Sequence, residues 1–226
     1  MEHQPLRLLA HLPKHHSSVS FSDAGFENYT VLSGGFVQHV SGPWVFTNDA
    51  GVVEPFAPNS STGPFRTWSA TFDPIEGQQY ASTYAGGDSI SQAVSFGTDG
   101  DYRIVAYAAA PSGSFVIPPD SGIRTLVDGQ FTFKLGSRAI GSVHTVPLDS
   151  DWTQFTANFS ITTPGRYELG ISNLKIAPYF INYDAFSIQA VPEPSTLALG
   201  LLGVLGHASC SRRRRNHHKN TNITPG

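Results

Sequence analysis

The sequence predicts an all-β chain built around one antiparallel β-sandwich. Three observations carry this. Composition is one: 22 Gly, 16 Pro, 15 Phe and 8 Tyr with only 14% charged residues suit short strands joined by turns. Period-2 alternation is the second, clearest where Phe155, Ala157, Phe159 and Ile161 interleave with Gln154, Thr156, Asn158 and Ser160, giving one buried and one wet face. Turn chemistry is the third, in Thr98-Asp99-Gly100-Asp101, Asp128-Gly129 and Thr163-Pro164-Gly165.

Taken in order, strand signals fall at Gln79–Thr83, Ser89–Phe96, Tyr102–Ala109, Gln130–Leu135, Ala139–Val146, Thr153–Ile161, Arg166–Ile171 and Phe180–Gln189. Eight strands make a sandwich. Residues 20–190 form the domain; at about 170 residues it is long enough for one substantial core and too short for two. Residues 1–19 read as a poorly ordered N-terminal segment and 216–226 as a disordered tail.

Charge divides the chain. Up to Ala190 there are 9 Lys/Arg against 16 Asp/Glu, a net of −7; beyond it, Arg212, Arg213, Arg214, Arg215 and Lys219 against Glu193 give +4. An acidic domain excludes nucleic acid as a partner, because neutralising phosphates requires clustered Lys/Arg on the folded surface.

The basic end belongs to a three-part arrangement. Val191, Pro192, Glu193, Pro194, Ser195, Thr196 and Leu197 form a proline-broken spacer; an apolar helix is expected over 197–208; the block Arg212–Arg215 closes it. This order resembles the PEP-CTERM sorting signal of bacterial exosortase systems. The apolar run is about half the 20 residues of a stable span and carries apolar residues on all faces, so it engages the inner membrane transiently, with the arginines on the cytoplasmic side. The resemblance implies cleavage by an exosortase near Pro192-Glu193-Pro194 and a mature domain outside the inner membrane. Export also requires an N-terminal signal. Met1 to Ser20 has no adequate apolar region, since Arg7, His11 and Pro13 interrupt its leucines. The expectation is a start assigned wrongly or a truncated copy, the alternative being a cytosolic chain with a vestigial signal. Cys210, in the tail, can form no internal disulfide.

Short motifs along the domain, Gly25-Phe26-Glu27, Trp44, Ile90-Ser91-Gln92, Gly100-Asp101-Tyr102, Val127-Asp128-Gly129, Trp152-Thr153-Gln154-Phe155, Gly165-Arg166-Tyr167 and Tyr183-Asp184-Ala185-Phe186, resemble galactose-binding-like jelly rolls and carbohydrate-binding modules. The resemblance implies polysaccharide as ligand and a structural calcium held by Glu27 and Asp184, with backbone carbonyls completing the shell; the alternative gives both acids local hydrogen-bonding roles. Aromatic faces that stack on sugar rings are sought at Trp68, Tyr80 and Tyr84, and further at Phe115 and Tyr179. Trp44 and Trp152 read as core.

Catalytic motifs are weak. Gly87-Asp88-Ser89 resembles a hydrolase nucleophile block but has no following Asp-x-x-His. His39 and His144 are the only histidines from 17 to 190. The carboxylate pairs Asp99/Asp101, Asp149/Asp151 and Asp73/Glu76 sit in turn contexts. The sequence thus reads as a non-catalytic exported protein that binds exopolysaccharide, with a purely structural matrix protein as alternative and a hydrolase as the weaker third.

Overall fold

A computed structural model describes residues 18–31, 36–38, 41–55, 73–84, 86–111, 114–117, 122–174 and 179–192. Thirteen strands lie among them: β1 (Phe36–Gln38), β2 (Trp44–Thr47), β3 (Gly51–Val53), β4 (Tyr80–Thr83), β5 (Ser89–Phe96), β6 (Gly100–Ala110), β7 (Ser114–Ile117), β8 (Gly122–Thr125), β9 (Gly129–Leu135), β10 (Arg138–Val146), β11 (Ser150–Ile161), β12 (Gly165–Asn173) and β13 (Ile181–Ala190). Eight of them are the predicted strands, with ends that agree or differ by one to three residues. The five additional ones, β1, β2, β3, β7 and β8, are three or four residues long, too short to show a repeating pattern.

Two antiparallel sheets form the sandwich. One has the order β1-β3-β4-β13-β6-β11 and the other β10-β9-β12-β5-β2, while β7 and β8 pair as a separate hairpin. The chain crosses repeatedly between the sheets, as in jelly rolls, and no helix occurs among the described residues. Contacts within the chain divide it into two units after Ala190, where β13 ends. The expected apolar helix at 197–208 lies outside the described residues.

The core lies between the sheets. Phe21, Phe26, Trp44 and Phe186 pack at one end, with Trp44 centred 4.9 Å from Phe186 and 5.0 Å from Phe26. Phe96, Tyr102 and Phe159 fill the other, with ring centroids 4.8 to 5.9 Å apart. Each such ring removed from water contributes about 1.5–3 kcal/mol. That burial holds Phe26 at φ 63°, a left-handed conformation that costs a bulky residue about 1–2 kcal/mol. Asp23 secures the same turn, its two carboxylate oxygens accepting the amides of Glu27 and Asn28 at 2.8 and 3.2 Å. Several buried polar groups are joined in a chain: Tyr183 donates to Asn173, and Asn173 donates to Thr83, at 2.9 and 2.7 Å.

Candidate functional site

The outward face of the six-stranded sheet is the feature that alternation alone does not explain. On β4, Ala81 faces the core while Tyr80 belongs to a second apolar group, with Val53, Leu126 and Phe180. Register then fixes the rest of this face. Gly51 lies opposite Ser82, Ser82 opposite Asn182, and Asn182 opposite Ala109. Beside that row runs another, in which Val53 lies opposite Tyr80 and Asp184 opposite Tyr107. An outward face is expected to be wet, yet Tyr80, Ser82, Asn182 and Asp184 are at most 1% exposed.

Aromatic side chains bracket the row. Trp152 meets Tyr80 edge-on with centroids 5.6 Å apart, and Tyr84 lies 4.9 Å from Phe180 at 37°. Trp152 also donates its indole N–H to the carbonyl of Asp73 at 2.8 Å. Between these rings the hydroxyl of Ser82 and both side-chain atoms of Asn182 are buried without a hydrogen-bond partner among the described residues. An unsatisfied buried group of this kind costs about 1–3 kcal/mol, so its retention requires a reason. The arrangement offers two acceptors and an amide donor among apolar ring surfaces, which is chemistry suited to hydroxyl groups on a ring-shaped ligand.

Residues 75–79 are fastened beside this face by two carboxylates. Asp184 Oδ2 accepts the amides of Ile75 and Glu76 at 2.7 and 3.1 Å, and Oδ1 accepts that of Ala185 at 2.7 Å. Glu27 Oε1 accepts the amides of Gln78 and Gln79, both at 2.8 Å. Between the two clamps Gly77 has φ +65°, and a Cβ there would collide with the Glu27 carboxylate, so only glycine fits. A bulge between Asp184 and Ser187, with Ala185 at φ 52°, lets Asp184 face outward while Phe186 enters the core. Burial pushes the Asp184 carboxyl up to about 7, against the opposing pull of the amides of Glu76, Ala185 and Ile75. Burial, and secondarily the nearby Asp184 charge, raises the Tyr80 hydroxyl well above its ordinary value.

The structure therefore brings Glu27 and Asp184 to one segment, with both Asp184 oxygens and Glu27 Oε1 accepting amide hydrogens. Calcium calls for six to eight oxygen ligands with lone pairs directed at the ion. Among the described residues no group of three or more His, Cys, Asp or Glu side chains is placed to hold a metal. As arranged, Asp184 and Glu27 Oε1 act as an amide clamp on residues 75–79.

The other residues singled out in the sequence fall as follows. Tyr80 and Tyr84 both border the outward face, Tyr80 as a buried wall and Tyr84 half-buried. Trp68 lies outside the described residues, as does the side chain of Phe115. Tyr179 is buried in the main core, as is Trp44. Trp152 is a correction: it is half-buried on the outward face, not in the core. The signal was available, because Trp152 shares the parity of Gln154 and Asn158, the wet side of β11. Of the suggested catalytic groups, Ser89 shares a hydrogen bond with Thr47 at 2.8 Å, and Asp88 accepts the Tyr84 amide at 2.8 Å. Asp101 accepts from Ser160, and Asp151 caps the Trp152 amide at 2.7 Å.

At the end of β13 the chain passes directly into the spacer, apolar run and arginine block. Residues 190–215 match the PEP-CTERM protein-sorting motif. The PEP-CTERM motif marks an exported protein with a C-terminal sorting signal, and implies processing by an exosortase. Among solved structures, a cyclase from Fischerella sp. TAU in complex with 4-(1H-indol-3-yl)butan-2-one is similar at TM-score 0.53 and 16% identity, covering 79% of this chain and 100% of that one. A structure of TmCBM61 in complex with β-1,4-galactotriose is similar at TM-score 0.47 and 15% identity, over 77% and 100%. The CBM22-1 xylan-binding domain of Paenibacillus barcinonensis Xyn10C is similar at TM-score 0.42 and 11% identity, over 73% and 99%. No curated protein matches the chain. What surrounds the PEP-CTERM motif is thus placed by fold alone.

Proposed function

We propose that the sandwich upstream of the PEP-CTERM motif is a non-catalytic carbohydrate-binding domain that attaches to exopolysaccharide at the cell envelope or in the extracellular matrix. One observation carries this reading: the unpartnered Asn182 amide and Ser82 hydroxyl, buried side by side between the rings of Tyr80, Trp152, Tyr84 and Phe180. Sugar recognition needs this combination, ring faces against C–H groups and a few fixed polar atoms for hydroxyls. The fold does not choose between binding and catalysis, so the side chains must. His144 is the one histidine among the described residues, and it sits amid Phe131, Phe133 and Phe155, remote from any role as general base for Ser89.

A glycan array probed with the full chain, beside variants Trp152→Ala and Asn182→Ala, tests the reading. Binding to a neutral glycan that both variants lose, with each still unfolding cooperatively, supports it. A folded wild-type chain that retains no glycan overturns it, in favour of a matrix protein whose sandwich contributes only bulk.

A further inference from the structure

Four strands end the two sheets, and three of them are ill suited to accept a further strand. β1 has three residues and β2 has four. β10 is interrupted by a bulge between Ile140 and His144, with Gly141 at φ 73°. Short edges and bulges are the usual means by which sheets refuse additional strands. β11 carries such an irregularity only at its start, between Ser150 and Thr153, and β10 of the other sheet packs on its inner side, with Gly141 beside Ala157. Its ladder with β6 runs without a break from Thr153 to Ile161, nine paired residues. No Lys, Arg or Pro occurs from Ser150 to Ile161, and the single charge is Asp151 at its start. Among the described residues no strand pairs with its other side.

We infer that the β11 edge is an interaction surface for a second copy of this chain, the two β11 strands pairing antiparallel about a two-fold axis at Thr156. Self-pairing follows from the pattern of the strand. A two-fold axis at any residue pairs only positions of equal parity, so Phe155, Ala157 and Phe159 meet inward residues and Gln154, Thr156 and Asn158 meet outward ones. With the axis at Thr156, Gln154 faces Asn158 of the other copy, and threonine faces threonine, both favourable cross-strand pairs. No like charges come opposite each other, because Asp151, the one charge of the strand, lies near its start, away from the axis. Each sheet of six strands continues into its neighbour, and the unpaired amides and carbonyls of β11 are satisfied. The inference is independent of the sugar-binding reading, since the pairing uses the backbone edge of β11 and leaves the Asn182–Ser82 row untouched.

Cross-linking tests it on the full chain, with Cys210 replaced by Ser and non-ionic detergent present so that the apolar run at 197–208 does not drive association. Single cysteines are introduced as Gln154→Cys, Thr156→Cys and Asn158→Cys, with the exposed Ser95→Cys of β5 as control. Cα atoms opposite each other in an antiparallel pair lie about 4.5–5.5 Å apart, within the range of a disulfide. The expected result is an intermolecular disulfide at the axial position and none at Ser95→Cys. Thr156→Lys, whose fold is checked by thermal unfolding, places two lysines together and should raise the dimer Kd by about tenfold or more in sedimentation. No disulfide at any of the three positions, or a Thr156→Lys chain that unfolds normally and dimerises as wild type, overturns the inference.

Discussion

Asn182 and Ser82 stand directly opposite each other in the β13–β4 ladder, both sealed from solvent and neither with a side-chain hydrogen bond. Some buried polar groups are matched, as in the Tyr183–Asn173–Thr83 chain, while Gln79 Oε1, Gln92 Nε2, His144 Nε2 and Ser150 Oγ also lack a partner among the described residues. Ser82 and Asn182 differ from those four in facing each other across one ladder, beside aromatic rings.

Replacing Asn182 by Leu should separate stability from binding. Removing the unsatisfied amide should leave the unliganded protein equally stable or stabilise it by about 1–3 kcal/mol, while glycan retention is lost. Denaturant unfolding alongside affinity electrophoresis measures both. A clear loss of stability would show that the amide has a partner the fold depends on.

The two-sided clamp on residues 75–79 predicts sensitivity to either acid. Asp184→Asn retains one acceptor where two are used, and should cost about 1–3 kcal/mol; Gly77→Ala should cost at least about 1 kcal/mol through its left-handed φ and the approach to Glu27. Because amides hold the segment, EDTA should leave the Tm of the wild type unchanged. A Tm lowered by chelator and restored by calcium would mean that a cation occupies these carboxylates.

His144 makes stability depend on pH. Burial among Phe131, Phe133 and Phe155 lowers its pKa below the ordinary 6.5. The unfolded chain therefore takes up the proton first as pH falls through 6.5, and stability declines from there down to the folded-state pKa, becoming flat for this group below it. His144→Gln should flatten the slope between pH 7 and 5, measured by denaturant midpoints. An unchanged slope would assign the pH dependence to other groups.

The sorting motif begins where a central strand ends, since β13 lies between β4 and β6 and pairs as far as Ala190 with Tyr102. A chain stopped after Ala190 should unfold cooperatively near the wild-type midpoint. One stopped after Tyr183 removes Phe186 and most of the β6 pairing, and should show no cooperative transition by circular dichroism.

Local order was legible where a pattern repeats. Long strands such as β5 and β11 show in the sequence because repeated alternation sets one side chain against the next, and the turns between strands use residues that tolerate tight backbone geometry. The PEP-CTERM motif was legible for the same reason, being contiguous. Most strands of three or four residues were not, and neither was the contact of Trp152 with Tyr80, which needs the strand order that brings β11 and β4 onto one sheet. Asn182, Ser82 and the joint hold of Glu27 and Asp184 on one segment come from residues about 50 to 155 positions apart, depending on strand order and register. Hydrophobic alternation is a property of neighbours along the chain and specifies which residues turn inward; which outward residues meet is decided only when non-local strands pair, and there the tertiary structure alone placed the buried amide among the rings.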